Sequence, residues 1–146
     1  MIIFRNVLAL IIGLMIGSRI NMALIVLGPS IILPPAGVDV TDVDSIAASL
    51  HMFEAKHYVF PFLAHALGTF SGAFIAWLIA ASHRDTFAWG IGAAFLAGGI
   101  FVAWLLPAPA WFIAVDLLFA YIPMAWLAIF LAGKAHKTFN SSKEVA

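Results

Sequence analysis

The chain has 146 residues, 64% of them hydrophobic and 10% charged, with a formal net charge of zero. A water-soluble domain of that length needs more charge to clothe its surface, and the neutral balance leaves no basic footprint for nucleic acid. Cysteine is absent, which removes disulfides, thiolate metal sites and a thiol nucleophile together.

The first seventeen residues, with Arg5 as a charged start, have the outline of a signal peptide. The apolar run continues to about Leu33 without a small-residue cleavage site, so it reads as a retained span. Crossing ~30 Å of hydrocarbon takes about 20 apolar helical residues. Four stretches meet that requirement: Val7 to Gly28, Tyr58 to Ser82, Phe87 to Leu106 and Trp111 to Ala132. Pro29, and then Pro34-Pro35, are expected to stop the first. His83-Arg84-Asp85-Thr86 and Pro107-Ala108-Pro109-Ala110 make the two short turns, and connections so short force antiparallel neighbours. Pro123 falls inside the fourth span, where it is expected to kink the helix and loosen a carbonyl near Phe119. The expected fold is an all-α, integral membrane, four-helix up-down bundle. Residues 1–133 form one transmembrane domain and residues 134–146 a cytoplasmic tail.

Arg5, Arg84, Lys134, Lys137 and Lys143 fall on the side of both termini, against Lys56 on the other. The positive-inside rule then puts both termini in the cytoplasm and residues 33–57 outside. Trp104 and Trp111 belong at the outer interface, Trp89 at the inner one. In the outer loop Thr41 or Asp42 can cap a helix with Asp44 in its first turn. Val43, Ile46, Ala47, Leu50 and Phe53 keep helical spacing, which predicts a short amphipathic helix on the outer surface or over the bundle mouth. His51, Glu54 and His57 are three apart in turn, a weak pattern for a metal; surface capping and headgroup contact explain the same residues.

Small residues recur at every fourth position, at Gly13 and Gly17, at Gly68 and Gly72, and at Gly98 in the third span. Such stripes let backbones approach closely and predict tight helix packing. Inside the spans three ionisable residues require explanation, because a charge at mid-bilayer costs ~3 kcal/mol on insertion scales. At ~1.5 Å per residue, Arg19, His65 and Asp116 all fall in the outer half, roughly 8–13 Å from its edge. An Arg19–Asp116 pair with His65 nearby would neutralise the charges in one place. The helical wheel complicates it, since Arg19 points almost opposite to Gly13, Gly17 and Asn21: either the glycine face packs inward and Arg19 looks toward a partner, or Arg19 faces the bundle and the glycines meet a second protein.

The stretches Leu27-Gly28-Pro29-Ser30, Pro34-Pro35-Ala36-Gly37-Val38-Asp39, Phe60-Pro61-Phe62-Leu63-Ala64-His65-Ala66-Leu67-Gly68 and Pro107-Ala108-Pro109-Ala110-Trp111-Phe112 resemble a family of small uncharacterised bacterial four-span membrane proteins. The likeness covers the four spans without the tail. It implies a bacterial inner-membrane setting and supplies no activity, cofactor or catalytic residue.

Three functional classes follow from the residues. The leading expectation is a non-enzymatic subunit, packed against copies of itself or against other membrane proteins, with no cofactor. The alternatives are a small carrier or channel for a proton, ion or small solute using Arg19, His65 and Asp116, and a lipid-facing enzyme with His65 as acid or base.

Overall fold

The structure, a computed structural model, describes the backbone of residues 1–144 and the side chains of residues 1–138. Lys143, counted above among the inner basic residues, has its side chain outside the described residues. Among the described residues the chain is all helical: α1 (Ile2–Ile31), α2 (Val43–Ser49), α3 (Val59–Ile79), α4 (Arg84–Leu105), α5 (Ala110–Phe119) and α6 (Ile122–Glu144). Single 3-10 turns at Leu50–Met52 and Ala55–Tyr58 lead from α2 into α3. Four stretches are long and apolar enough to cross a membrane: Ile2–Ile31, Ala55–Ile79, Arg84–Leu105 and Ala110–Thr138.

The α3 segment sits at the centre. Of its apolar window 44% is buried, against 11% for α1. The α1–α3 seam is made by glycines meeting backbone to backbone. A Cβ on Gly13 would lie 2.8 Å from the Gly72 carbonyl oxygen, and one on Gly17 2.6 Å from that of Gly68. No side chain can enter that contact without parting the helices. Rising numbers on α1 meet falling numbers on α3, so this pair runs antiparallel. Ala73, Ala76, Trp77, Ala88, Ile91 and Ala125 continue the core between α3, α4 and α6. In lipid, close approach of small residues supplies attraction by dispersion, since burial of apolar surface gains little there.

The end of the bundle that carries the N-terminus and the α3–α4 turn is tied by polar groups. The Asn6 side chain accepts from the Ala81 N–H at 2.8 Å and donates to Ser82 Oγ at 2.9 Å, while Arg5 Nε donates to the Ile79 carbonyl at 2.6 Å. Cations at a helix C-terminus satisfy its free carbonyls and oppose its dipole. This contact ends α3 at Ile79, three residues before the expected Ser82. His83, left-handed at φ 49, then turns the chain, and Arg84, Asp85 and Thr86, expected as loop, form the first turn of α4.

Two further boundaries differ from expectation. Pro29 does not stop α1, which continues to Ile31. A proline in the last turn forfeits one hydrogen bond and keeps a helical φ. The effective stop is Pro34-Pro35, which drives the residues before them out of the α region. The fourth span is interrupted beside Phe119, where Pro123 is expected to loosen a carbonyl. It divides at Ala120-Tyr121 into α5 and α6, and Pro123 falls in the first turn of α6, where its missing N–H costs nothing.

In the loop between α1 and α3 Asp42 is the cap of α2, accepting from the Asp44 and Ser45 N–H groups. The loop's two ends are joined by His57. Its Nδ1 accepts from the Glu54 N–H at 2.9 Å, so the opposite nitrogen carries the proton and Nε2 donates to the Leu33 carbonyl at 3.1 Å. Both ring nitrogens of His57 are thus committed, and Glu54 pairs with Lys56. Among the described residues no group of three His, Asp or Glu is placed to hold a metal, and His51, Glu54 and His57 do not converge.

Candidate functional site

Of the three intramembrane ionisable residues, the structure joins two. His65, on the second turn of α3, donates from Nδ1 to both carboxylate oxygens of Asp116 on α5, each at 2.9 Å. Asp116 Oδ2 also accepts from the hydroxyl of Tyr121 at 2.8 Å. Their side chains are 15% and 6% exposed, and Tyr121 is 1% exposed. The two donors satisfy the carboxylate in a place where an unpartnered charge is costly.

Arg19 is elsewhere. It lies on the exposed face of α1, and among the described residues no ion pair or hydrogen bond reaches it. The reason is geometric. Gly13 and Gly17 must face α3 for the seam to close, and two residues of helix turn Arg19 by about 200° away from Gly17.

The break in the fourth span creates the Tyr121 contact. On an unbroken helix, residues five apart point about 140° away from each other. Interrupting the helix at Ala120-Tyr121 lets the phenol turn back toward Asp116. Room for it comes from Gly99 on α4. A Cβ there would collide with the Tyr121 hydroxyl and with the ring carbon that bears it. Gly98, expected to pack, meets nothing within 4 Å; close approach on α4 falls instead to Gly92, against Ala125, and Gly99.

Tyr121 and Gly99 were not among the sequence candidates. The available signals were the Gly98-Gly99 doublet and the position of Tyr121 just before Pro123.

Two cavities meet at this cluster. The first, about 260 Å³, lies between α1, α3, α4 and α5 at the end of the bundle that carries the α1–α3 loop and is roofed by Ile46, Leu50 and Phe53 of that loop. Its walls are almost wholly apolar, and His65 and Asp116 lie at its inner end. The second, about 340 Å³, lies between α1 and α4, with Leu14 and Met22 on one side and Ala94 and Gly98 on the other. His65, Gly99 and Val102 line both. Among the described residues His65 Nε2 has no hydrogen-bond partner, yet it is not among the enclosed unpartnered atoms, which are Tyr58 Oη and Thr69 Oγ1. This nitrogen is therefore the polar atom the cluster leaves open to the cavities.

The arrangement can hold a proton or hydrogen-bond a guest at Nε2, with Asp116 fixing the ring's orientation, as second partners of histidine commonly do. No family model, no curated protein and no solved structure matches the chain, so the site is read from its geometry.

Proposed function

We propose that this chain is a small integral membrane protein that binds or carries a small solute in the outer half of the bilayer, with His65 and Asp116 as its site. The observation that carries this is a histidine anchored on one nitrogen and open on the other, at the end of an apolar cavity. Ligand sites have that character: mostly apolar walls with a few placed polar groups. A reaction would need more. Among the described residues no hydroxyl stands against Nε2, so the His65–Asp116 dyad has no nucleophile to activate.

The membrane setting proposed with it is the bacterial inner membrane, with an up-down bundle, both termini cytoplasmic and α2 lying at the outer surface. Support comes from the distribution of Arg and Lys and from the apolar roof that α2 and its following turn place over the cavity.

The test is ligand-dependent stabilisation. Lipid-soluble small molecules, screened against purified protein in nanodiscs, should raise its unfolding temperature. A ligand at a hundred times its dissociation constant contributes about 2.7 kcal/mol. His65→Gln should abolish the shift. A hit that stabilises His65→Gln equally would place binding elsewhere and defeat the proposal.

A second reading, an accessory subunit of a homo-oligomer or larger membrane complex, is favoured by Arg19. A cation on the lipid-facing side of the least buried span is costly alone and accounted for by a neighbour. Gentle extraction should then yield a particle heavier than one chain, reduced to one chain by Arg19→Leu; a wild-type particle of single-chain mass removes this reading.

A further inference from the structure

We infer that the ligand of this site is an uncharged, single-chain hydroxyl compound, a long-chain alcohol or alkylphenol, whose hydroxyl meets His65 Nε2 while its tail leaves the protein between α1 and α4. This rests on the binding reading above and gives it a chemical class.

The head group follows from what His65 and its walls can accept. With Nδ1–H committed to Asp116, Nε2 is an acceptor when the imidazole is neutral and a donor when it is protonated. A hydroxyl both donates and accepts, so it suits either state, whereas a carbonyl suits only the imidazolium. A carboxylate head would place a second negative charge beside Asp116 between mostly apolar walls that screen it weakly. An ammonium brings three protons; the Asp116 oxygens beside the cavity already accept from His65 and Tyr121, and the surrounding Ile25, Val102, Phe112, Ile113 and Leu117 offer no further side-chain acceptors for them. Only an uncharged head leaves no group stranded.

The tail follows from the second cavity. Leu14, Met22 and Val102, which line it, are exposed on the bundle's outer face, so the groove opens toward lipid. It shares His65 and Gly99 with the roofed cavity, so a molecule with its head at His65 has a continuous and mostly apolar way out, past Ser18 and Asn21 on the α1 side. Ala94, Gly98 and Gly99 keep the α4 side of that path low. Gly98 has no packing partner, and its small size is explained by the path.

The experiment uses the full chain in lipid nanodiscs with ¹⁵N-labelled histidine, the His65 Nε2 resonance being assigned by its loss in His65→Gln. Butanol, octanol and dodecanol are titrated, together with octanoate and octylammonium as head-group controls. Octanol should move the His65 signal, and either charged octyl compound should require about tenfold more. Affinity should rise from butanol to dodecanol. In Gly98→Phe, where a ring fills the groove, dodecanol should weaken about tenfold while butanol holds its wild-type affinity. Retained butanol binding also shows that the variant is folded; if it is lost, Gly98→Leu replaces it. Octanoate or octylammonium binding as tightly as octanol overturns the ligand class and leaves the site standing. Wild-type dodecanol affinity in the groove-filled variant overturns the tail path. No movement of His65 with any of the five compounds overturns the site itself.

Discussion

Replacing Gly99 with alanine adds one methyl group at the point where α4 meets Tyr121, and the outcome can be worked from the contacts. The new Cβ would overlap the Tyr121 hydroxyl and its ring carbon. Tyr121 is 1% exposed, and the free space beside it is the second cavity, which it lines. Either α4 and α6 move apart, at the ~1–3 kcal/mol of an overpacked core, or the phenol swings and forfeits its hydrogen bond to Asp116. A bond to a charged acceptor is worth ~1.5–3 kcal/mol in water-soluble proteins, but hydrogen bonds within membranes average ~0.6. Swinging is therefore the cheaper route where space allows, and the expected loss is about 1–2 kcal/mol. Gly98→Ala is the internal control, one residue away on the same helix. Its methyl meets nothing within 4 Å, so helix propensity alone should make it neutral or more stable by up to about 1 kcal/mol. Unfolding by SDS titration, followed by tryptophan fluorescence in matched mixed micelles, measures both. The His65 ¹⁵N signal should shift in Gly99→Ala and stay in place in Gly98→Ala. Equal stability of the two variants would refute the argument that Gly99 exists to seat Tyr121.

Three further outcomes are expected. Tyr58→Phe removes a buried hydroxyl without a hydrogen-bond partner and should be neutral or stabilising by up to about 1 kcal/mol, whereas Tyr121→Phe should destabilise; both measured in the same SDS titration, a loss at position 58 would mean that its hydroxyl is satisfied. Gly72→Leu puts a branched side chain against the Gly13 carbonyl oxygen and should separate α1 from α3, read as lost energy transfer between labels at Val7 and Ser82; unchanged transfer would deny the glycine seam its role. Thr41, through its hydroxyl and its N–H, holds the exposed Asp39 carboxyl below the ordinary carboxylate range. A depressed carboxylate contributes order that is fully present above its unfolded value, near pH 4, and lost as pH falls through its lower folded value. Amide protection factors around residues 39–45, taken against the intrinsic exchange rate at each pH, should fall in acid in the wild type and change less with pH in Thr41→Val; identical profiles would dissociate Thr41 from the effect.

Composition and hydrophobic length were enough to locate the four candidate spans, because a low-dielectric solvent leaves a chain few other ways to satisfy its backbone. The glycines at 13, 17, 68 and 72 were legible for a related reason, since four-residue spacing makes one smooth stripe whatever the stripe meets. What lay beyond the sequence depended on rotation about helix axes. Gly98 and Gly99 are neighbours 100° apart, and only the position of Tyr121 decides which of them must be small. The position of Arg19 turned on whether the glycine face of α1 pointed inward, which periodicity cannot say. The break at Ala120-Tyr121 was visible only as Pro123, a residue equally compatible with a kink. Its consequence, a tyrosine reaching back five residues to an aspartate, violates the wheel on which the sequence reading relied.

The chain contains its own standard for judging whether His65 and Asp116 are merely structural. At the α3–α4 turn Trp77 Nε1 donates to Asp85 at 2.7 Å, Arg84 lies 4.9 Å over the Trp77 ring, and Arg84 Nε donates to the Ala80 carbonyl. That cluster binds the α3–α4 turn together, and no cavity described above reaches it. The His65–Asp116 cluster has equally good hydrogen bonds, but it stands where two cavities join, it required a broken helix and a glycine to assemble, and it leaves one ring nitrogen unengaged. If charge neutralisation were the whole purpose, an apolar residue of similar volume at His65 and at Asp116 would serve as well, since well-packed replacements of buried ion pairs are often neutral or stabilising. His65→Leu combined with Asp116→Leu, in a Tyr121→Phe background so that no buried hydroxyl is stranded, should accordingly fold with near-normal stability while losing all response to an added alcohol. Retention of that response in the combined variant would show that the polar cluster and the binding site are separate features of the fold.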